Sequence, residues 1–231
     1  MNIFSFTAHF GSEEDCRLHF KEQRDKEGVV CKRCGGTSHY WLQGKWSYEC
    51  KGCRFRTSLR SGTIMESSKL PFLVWYKTMF LMSCTKKGFS TNELQKQLGL
   101  KRYEPVWAMV HKLRRAMGNR DARYTLEGMI ELDEGYFSVA SKEIERGKGT
   151  RGRGAEGKQN VAVMAESTPL EDIETGKKEK HVRYFKARVL DSHQSEGING
   201  VVRDCMEDDA IVFSDKCTSY VDISDLVELH V

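Results

Sequence analysis

Two cysteine pairs, Cys31-x2-Cys34 and Cys50-x2-Cys53, separated by fifteen residues, constrain this chain more than any other feature. Each pair has the spacing of a metal knuckle, and the segment between them is long enough for a hairpin whose two ends converge on one tetrahedral ion. Zn²⁺ neutralises thiolates, and four sulfurs close its shell, so the predicted site is structural. With the shell complete, His39 reads as an ordinary hairpin histidine. Cys16, Cys84, Cys205 and Cys217 lack such spacing and read as core or incidental thiols. The start MNIFSFTAHFGSEEDC has neither the basic n-region nor the apolar stretch of a secretory signal, and no run of eighteen apolar residues occurs. This predicts a soluble, cytoplasmic chain without a membrane partner. In a reducing compartment, eight cysteines argue for metal rather than a disulfide framework.

The length of 231 residues suits several small units better than one. The expected order is an N-terminal helix in 1–28, a zinc ribbon in 29–62, a helical segment in 67–123 and an α/β domain in 124–231. Ser12 can cap a helix over 12–27, with Leu18 and Phe20 as apolar contacts. Tyr40, Trp41, Trp46 and Tyr48 lie in two short runs around a Gln43-Gly44 turn, which predicts the hairpin. From Ser67 to about Cys84 the pattern is helical, with Pro71 in the first turn and Phe72, Trp75, Met79 and Met82 as core.

Ser90 followed by Glu93 is a capping-box pattern that opens a short helix. Gly99 breaks it, and a longer helix runs from about Tyr103 to Met117 with Val106, Val110, Leu113 and Met117 on one face. Lys101, Arg102, His111, Lys112, Arg114 and Arg115 are then left for solvent or phosphate. Such a helix-turn-helix can enter a major groove while its cations meet the backbone, and the alternative is a helical pair with a solvated basic face. Charge distribution favours DNA. Residues 31–60 hold seven Lys/Arg against one acid, and residues 77–123 hold eleven against three, whereas residues 204–231 hold eight acids against one lysine.

Beyond Gly128 the texture turns to strands, at Met129–Tyr136, Asn160–Ala165, Lys180–Leu190 and Ala210–Ser214, with a helix near Gln194–Met206. The predicted order is β-β-β-α-β, a mixed sheet. Residues 142–159, rich in Gly, Lys and Arg, read as a surface loop. In Ile130-Glu131-Leu132-Asp133-Glu134 the alternation puts Glu131 and Asp133 on one face and Glu134 on the other. Asp215 follows the apolar run Ile211-Val212-Phe213-Ser214. An aspartate at the end of a buried strand beside another carboxylate calls for a cation such as Mg²⁺.

These residues resemble the ISXO-like bacterial insertion-sequence transposases, which join a zinc ribbon to a DDE-type, ribonuclease-H-like domain. The resemblance runs through CKRCG, YECKGCRFRTSLRSGTIMESSKLPFLVWY, KKGFSTNELQKQLGL, VWAMVHKLRRAM, GMIELDEGYF and VFSDKCTSY. It implies that Asp133 and Asp215 are the first two metal-binding acids of a catalytic triad that uses two Mg²⁺ or Mn²⁺ ions, with Glu131 and Glu134 in supporting roles. It also implies terminal inverted repeats and target DNA as partners, and a homo-oligomer on DNA. The family's third ligand lies on a helix well beyond the second aspartate, so the resemblance implies either a truncated element or a missing part outside this chain, and feeble cleavage or none by the chain as given. The alternatives are an inactive DNA-binding remnant or regulator, and another ribonuclease-H-like nuclease.

Overall fold

The computed structural model describes residues 2–84, 88–138, 158–171, 178–190, 195–215, 220 and 222–231. They form two compact units, Met1–Gly118 and Asn119–Val231. Among the described residues no helix is long and apolar enough to cross a membrane.

The first unit opens with helix α1, Ile3–His9, capped by the Asn2 side chain; the single helix expected in 1–28 is thus two, and only the one over 12–27 was delimited from sequence. Helix α2, Glu13–Glu27, starts as Ser12 predicts. The Ser12 hydroxyl accepts the Asp15 amide at 3.1 Å, and the Asp15 carboxylate accepts the Ser12 amide at 3.0 Å. Its inward contact is the fully buried Cys16, whereas Leu18, expected there, is 43% exposed. Phe20 does pack inward, 5.3 Å from Phe72.

Strands β1 (His39–Leu42), β2 (Ser47–Cys50) and β3 (Arg56–Ser58) pair antiparallel in that order. The predicted hairpin is β1–β2, and β3 adds an edge too short to show a pattern. A 3-10 turn at Gln43–Lys45 closes the hairpin, and the left-handed residue is Trp46, with φ 45°, rather than Gly44.

Helices α3 (Phe72–Cys84), α4 (Thr91–Gln97) and α5 (Glu104–Asp121) complete the unit. Pro71 sits just before α3, its carbonyl accepting the Trp75 amide at 3.3 Å. Ser90 caps α4 through the Glu93 amide. At its other end Gly99, with φ 64°, lets its own amide reach Lys96 O at 3.1 Å and the Leu100 amide reach Gln95 O at 3.0 Å. This is the Schellman stop, which favours glycine at the left-handed position. On α5, Val106, Val110 and Leu113 are buried as expected. Met109 joins them instead of Met117, which is 54% exposed. These residues share one core with Cys16, Met65, Phe72, Trp75 and Leu94.

The second unit is a five-stranded sheet with helix α6, Ser195–Cys205, packed on it. Strands β4 (Met129–Ser138), β5 (Lys158–Glu171) and β6 (Lys178–Val189) form an antiparallel meander. Strand β7, Ile211–Phe213, returns through α6 to lie parallel to β4. Strand β8, Leu229–His230, continues parallel on β7 and was absent from the predicted order. The sheet order is β6-β5-β4-β7-β8. Ile198, Val202 and Cys205 of α6 meet Ile130, Leu132, Met164 and Val212, all buried. Of the predicted basic loop, residues 142–157 lie outside the described residues; Lys158 and Gln159 belong to β5.

Candidate zinc site, carboxylate site and nucleic-acid face

The two cysteine knuckles are built alike. The Cys31 carbonyl accepts the Gly35 amide at 2.9 Å and the Cys31 amide donates to Gly36 O at 2.9 Å. At the second knuckle the Cys50 carbonyl accepts the Arg54 amide at 2.9 Å, and the Cys50 amide donates to Phe55 O at 3.0 Å. In both, the residue four past the first cysteine is left-handed, Gly35 at φ 72° and Arg54 at φ 56°. These turns aim four sulfurs inward. Cys31 and Cys53 are 3.5 Å apart, as are Cys34 and Cys50, and all four lie within 4.8 Å of one another.

A tetrahedral ion with Zn–S bonds of about 2.3 Å requires sulfurs about 3.8 Å apart, so the donor set fits structural Zn²⁺. Burial pushes the Cys31 thiol up, but the Arg33 and Cys34 amides and the neighbouring sulfurs outweigh it and draw Cys31 down to about 6. The same sulfurs that draw Cys31 and Cys50 down push Cys34 up to about 12, so the cluster favours a thiolate at some of its cysteines and not at all four. His39 lies outside the cluster, its Nδ1 3.1 Å from the Thr37 carbonyl.

Asp133 and Asp215 stand level with each other. Glu131 pairs with Phe213 in the parallel register of β4 and β7, and each aspartate lies two residues further along its own chain. Asp133 therefore sits midway along β4, and Asp215 just past the carboxyl end of β7. Glu131 and Asp133 are exposed while Ile130 and Leu132 are buried, the alternation the sequence predicts. The Glu134 amide donates to Asp133 Oδ1 at 2.7 Å. Glu134 itself lies on the phase of Leu132, where its Oε2 accepts from Asn160 Nδ2 at 2.6 Å and from Tyr136 Oη at 3.3 Å.

Tyr220, only 2% exposed, was missed by the sequence reading. Burial pushes its phenol up, and the charges of Glu134, Asp215 and Asp133 with a hydrogen bond to Glu134 add to that. One buried phenol therefore senses three carboxylates. The only sequence signal was its place at the end of VFSDKCTSY, where a tyrosine has no chemistry of its own to advertise. Among the described residues no third Asp, Glu, His or Cys joins the two aspartates in a cluster as tight as the four sulfurs.

Of the predicted nucleic-acid residues, Lys101 and Arg102 are exposed between α4 and α5, and Arg114 and Arg115 are exposed on α5. Lys112 differs: it is half-buried, and its Nζ donates to Glu66 O at 2.6 Å. On the outer face of α5, Trp107 is 49% exposed and its ring lies 4.1 Å from that of His111. Trp107 lies off the buried Val106–Val110–Leu113 face, and the apolar periodicity did not single it out.

Residues 125–231 match the family described as ISXO2-like transposase domain, and residues 11–56 match the transposase zinc-ribbon domain. The chain is also 31% identical over 191 residues to an uncharacterized protein in transposable element ISH50 of Halobacterium salinarum. That alignment covers 77% of this chain and 60% of the relative, so the chain spans about 60% of that protein's length.

Proposed function

Because this chain belongs to the ISXO2-like insertion-sequence transposases, we propose that it binds the terminal repeats of a mobile element and catalyses metal-dependent DNA cleavage and strand transfer. The observation that supports this best is the placement of Asp133 on β4 and Asp215 just past β7, each two residues beyond the paired Glu131 and Phe213, in a chain that also carries a four-cysteine zinc site. In this reading the second unit is a ribonuclease-H-like catalytic domain. Asp133 and Asp215 hold Mg²⁺ or Mn²⁺, which when bound activates the attacking oxygen and stabilises the leaving one.

The rest of the site positions those carboxylates. The Glu134 amide fixes one oxygen of Asp133. Tyr220, kept neutral by burial and by the three acids, donates to Glu134 instead of adding a fourth negative charge. Glu131, exposed on the same face of β4 as Asp133, is the supporting carboxylate. In the first unit α5 is the recognition helix: Lys101, Arg102, Arg114 and Arg115 meet phosphates, and Trp107 with His111 faces the base edges. Lys112, tied to the Glu66 carbonyl, orients the helix. Joining two ends calls for two such sites, so the active form on DNA is a homo-oligomer.

The test is incubation of the chain with a labelled terminal-repeat duplex, with and without Mg²⁺ or Mn²⁺. Divalent-dependent nicking at the element end is the expected result. Binding without cutting at any divalent ion would make the chain a DNA-binding regulator. A preference for branched DNA over any linear end would make it a different nuclease.

A further inference from the structure

A cleft of about 450 Å³ opens on the first unit where α2, the residues just past β3, the start of α3 and the end of α4 meet. Arg17, Arg60, Lys69 and Lys77 line it, against the single carboxylate of Glu13. The excess of three positive charges is held in place rather than scattered. The Arg60 guanidinium lies 4.2 Å from the centre of the Phe72 ring, and its Nη1 donates to Ser68 O at 2.5 Å. The Arg17 guanidinium lies 5.9 Å from the same ring and 5.5 Å from that of Trp46.

Two guanidinium groups therefore share one aromatic ring. Burial draws Arg60 below its ordinary value, and the charge of Arg17 draws it further, with Glu13 opposing. Glu13 is already committed to both walls: Oε1 accepts from Arg17 Nε at 3.0 Å, and Oε2 accepts the Leu73 amide at 2.9 Å at the start of α3. Glu13 offsets part of the repulsion among these cations, and an incoming anion would offset the remaining excess of positive charge. Stacking uses the face of a guanidinium and leaves its in-plane N–H edge, which matches the oxygens of a phosphate.

We propose that this cleft binds successive phosphodiesters of the duplex DNA backbone, as a contact additional to α5. The inference rests on the DNA-binding reading above. An acidic peptide could offer carboxylates to the same fork. The duplex is favoured because the same unit also exposes Lys101, Arg102, Arg114 and Arg115, a spread of cations that suits a long polyanion.

The experiment measures affinity of the zinc-loaded full chain for a labelled linear duplex over a series of salt concentrations. The exposed pair Lys69→Gln/Lys77→Gln should flatten the plot of log K against log salt by about 1.8, and Arg17→Gln by about 0.9. Zinc content and far-UV circular dichroism should stay at the parental level in the lysine variant, whose side chains are exposed. Firm binding with parental slopes in both variants overturns this inference alone. A wild-type chain that binds no duplex removes the DNA reading and this inference together. Calorimetry with inorganic phosphate separates the sources: phosphate binding lost in the lysine variant, with duplex slopes unchanged, would make the cleft a free-anion site and overturn the DNA contact.

Discussion

At the scale of single residues, Asp25 ties α2 to the zinc-bearing hairpin. It accepts from Lys21 Nζ at 2.5 Å on its own helix and from Tyr48 Oη at 2.8 Å on β2. Burial would raise its pKa, but the Lys21 and Tyr48 hydrogen bonds and the Lys21 charge outweigh that and hold it below the ordinary 3.8. A depressed carboxyl stabilises the fold above its unfolded value and loses that contribution as pH falls through the folded one. Asp25→Asn should therefore cost on the order of 1 kcal/mol at pH 7, reduced by exposure, and less at a pH well below the ordinary 3.8. Urea unfolding at the two pH values checks this, and an equal cost at both would refute it. Cys50→Ser should release zinc and locally unfold the ribbon, since folding of so small a unit depends on its metal. Full zinc occupancy in that variant, measured by elemental analysis, would contradict the assignment.

At the scale of elements, the α4–α5 turn depends on Gly99. At φ 64° a side chain there is strained, so Gly99→Ala should destabilise the first unit by about 1 kcal/mol and weaken duplex binding. An unchanged melting temperature would show that the turn relaxes. Elements were readable from sequence where local chemistry sets them. The Ser12 and Ser90 caps, the Gly99 stop and the alternation at Ile130–Asp133 each rest on near neighbours. Reading failed where distant packing decides. Strand β8 has two residues and exists because the Glu228 amide reaches Ala210 O and the Val231 amide reaches Val212 O. Leu18 and Met117 fit helical periodicity yet face outward, while Cys16 and Met109 occupy the core.

For the whole molecule, the two sites differed in how much the sequence revealed. Cysteine spacing alone gave the zinc cluster, because its ligands sit in two local turns of identical form. The carboxylate pair needed the topology: Asp133 and Asp215 are far apart in sequence, and only the parallel β4–β7 pairing brings them level. Tyr220 and the partners of Glu134, Asn160 and Tyr136, emerge only from the folded sheet. In the proposed function Asp133 and Asp215 together hold a catalytic divalent ion. Two carboxylates make a modest site for such an ion, which keeps several waters and gains ligands from substrate phosphate. Titration of the zinc-loaded full chain with Mn²⁺, followed by electron paramagnetic resonance in the presence of a terminal-repeat duplex, tests the claim directly. Bound Mn²⁺ should be lost in both Asp133→Asn and Asp215→Asn while zinc content and duplex affinity stay at wild-type levels. Wild-type Mn²⁺ binding in either variant would contradict the account.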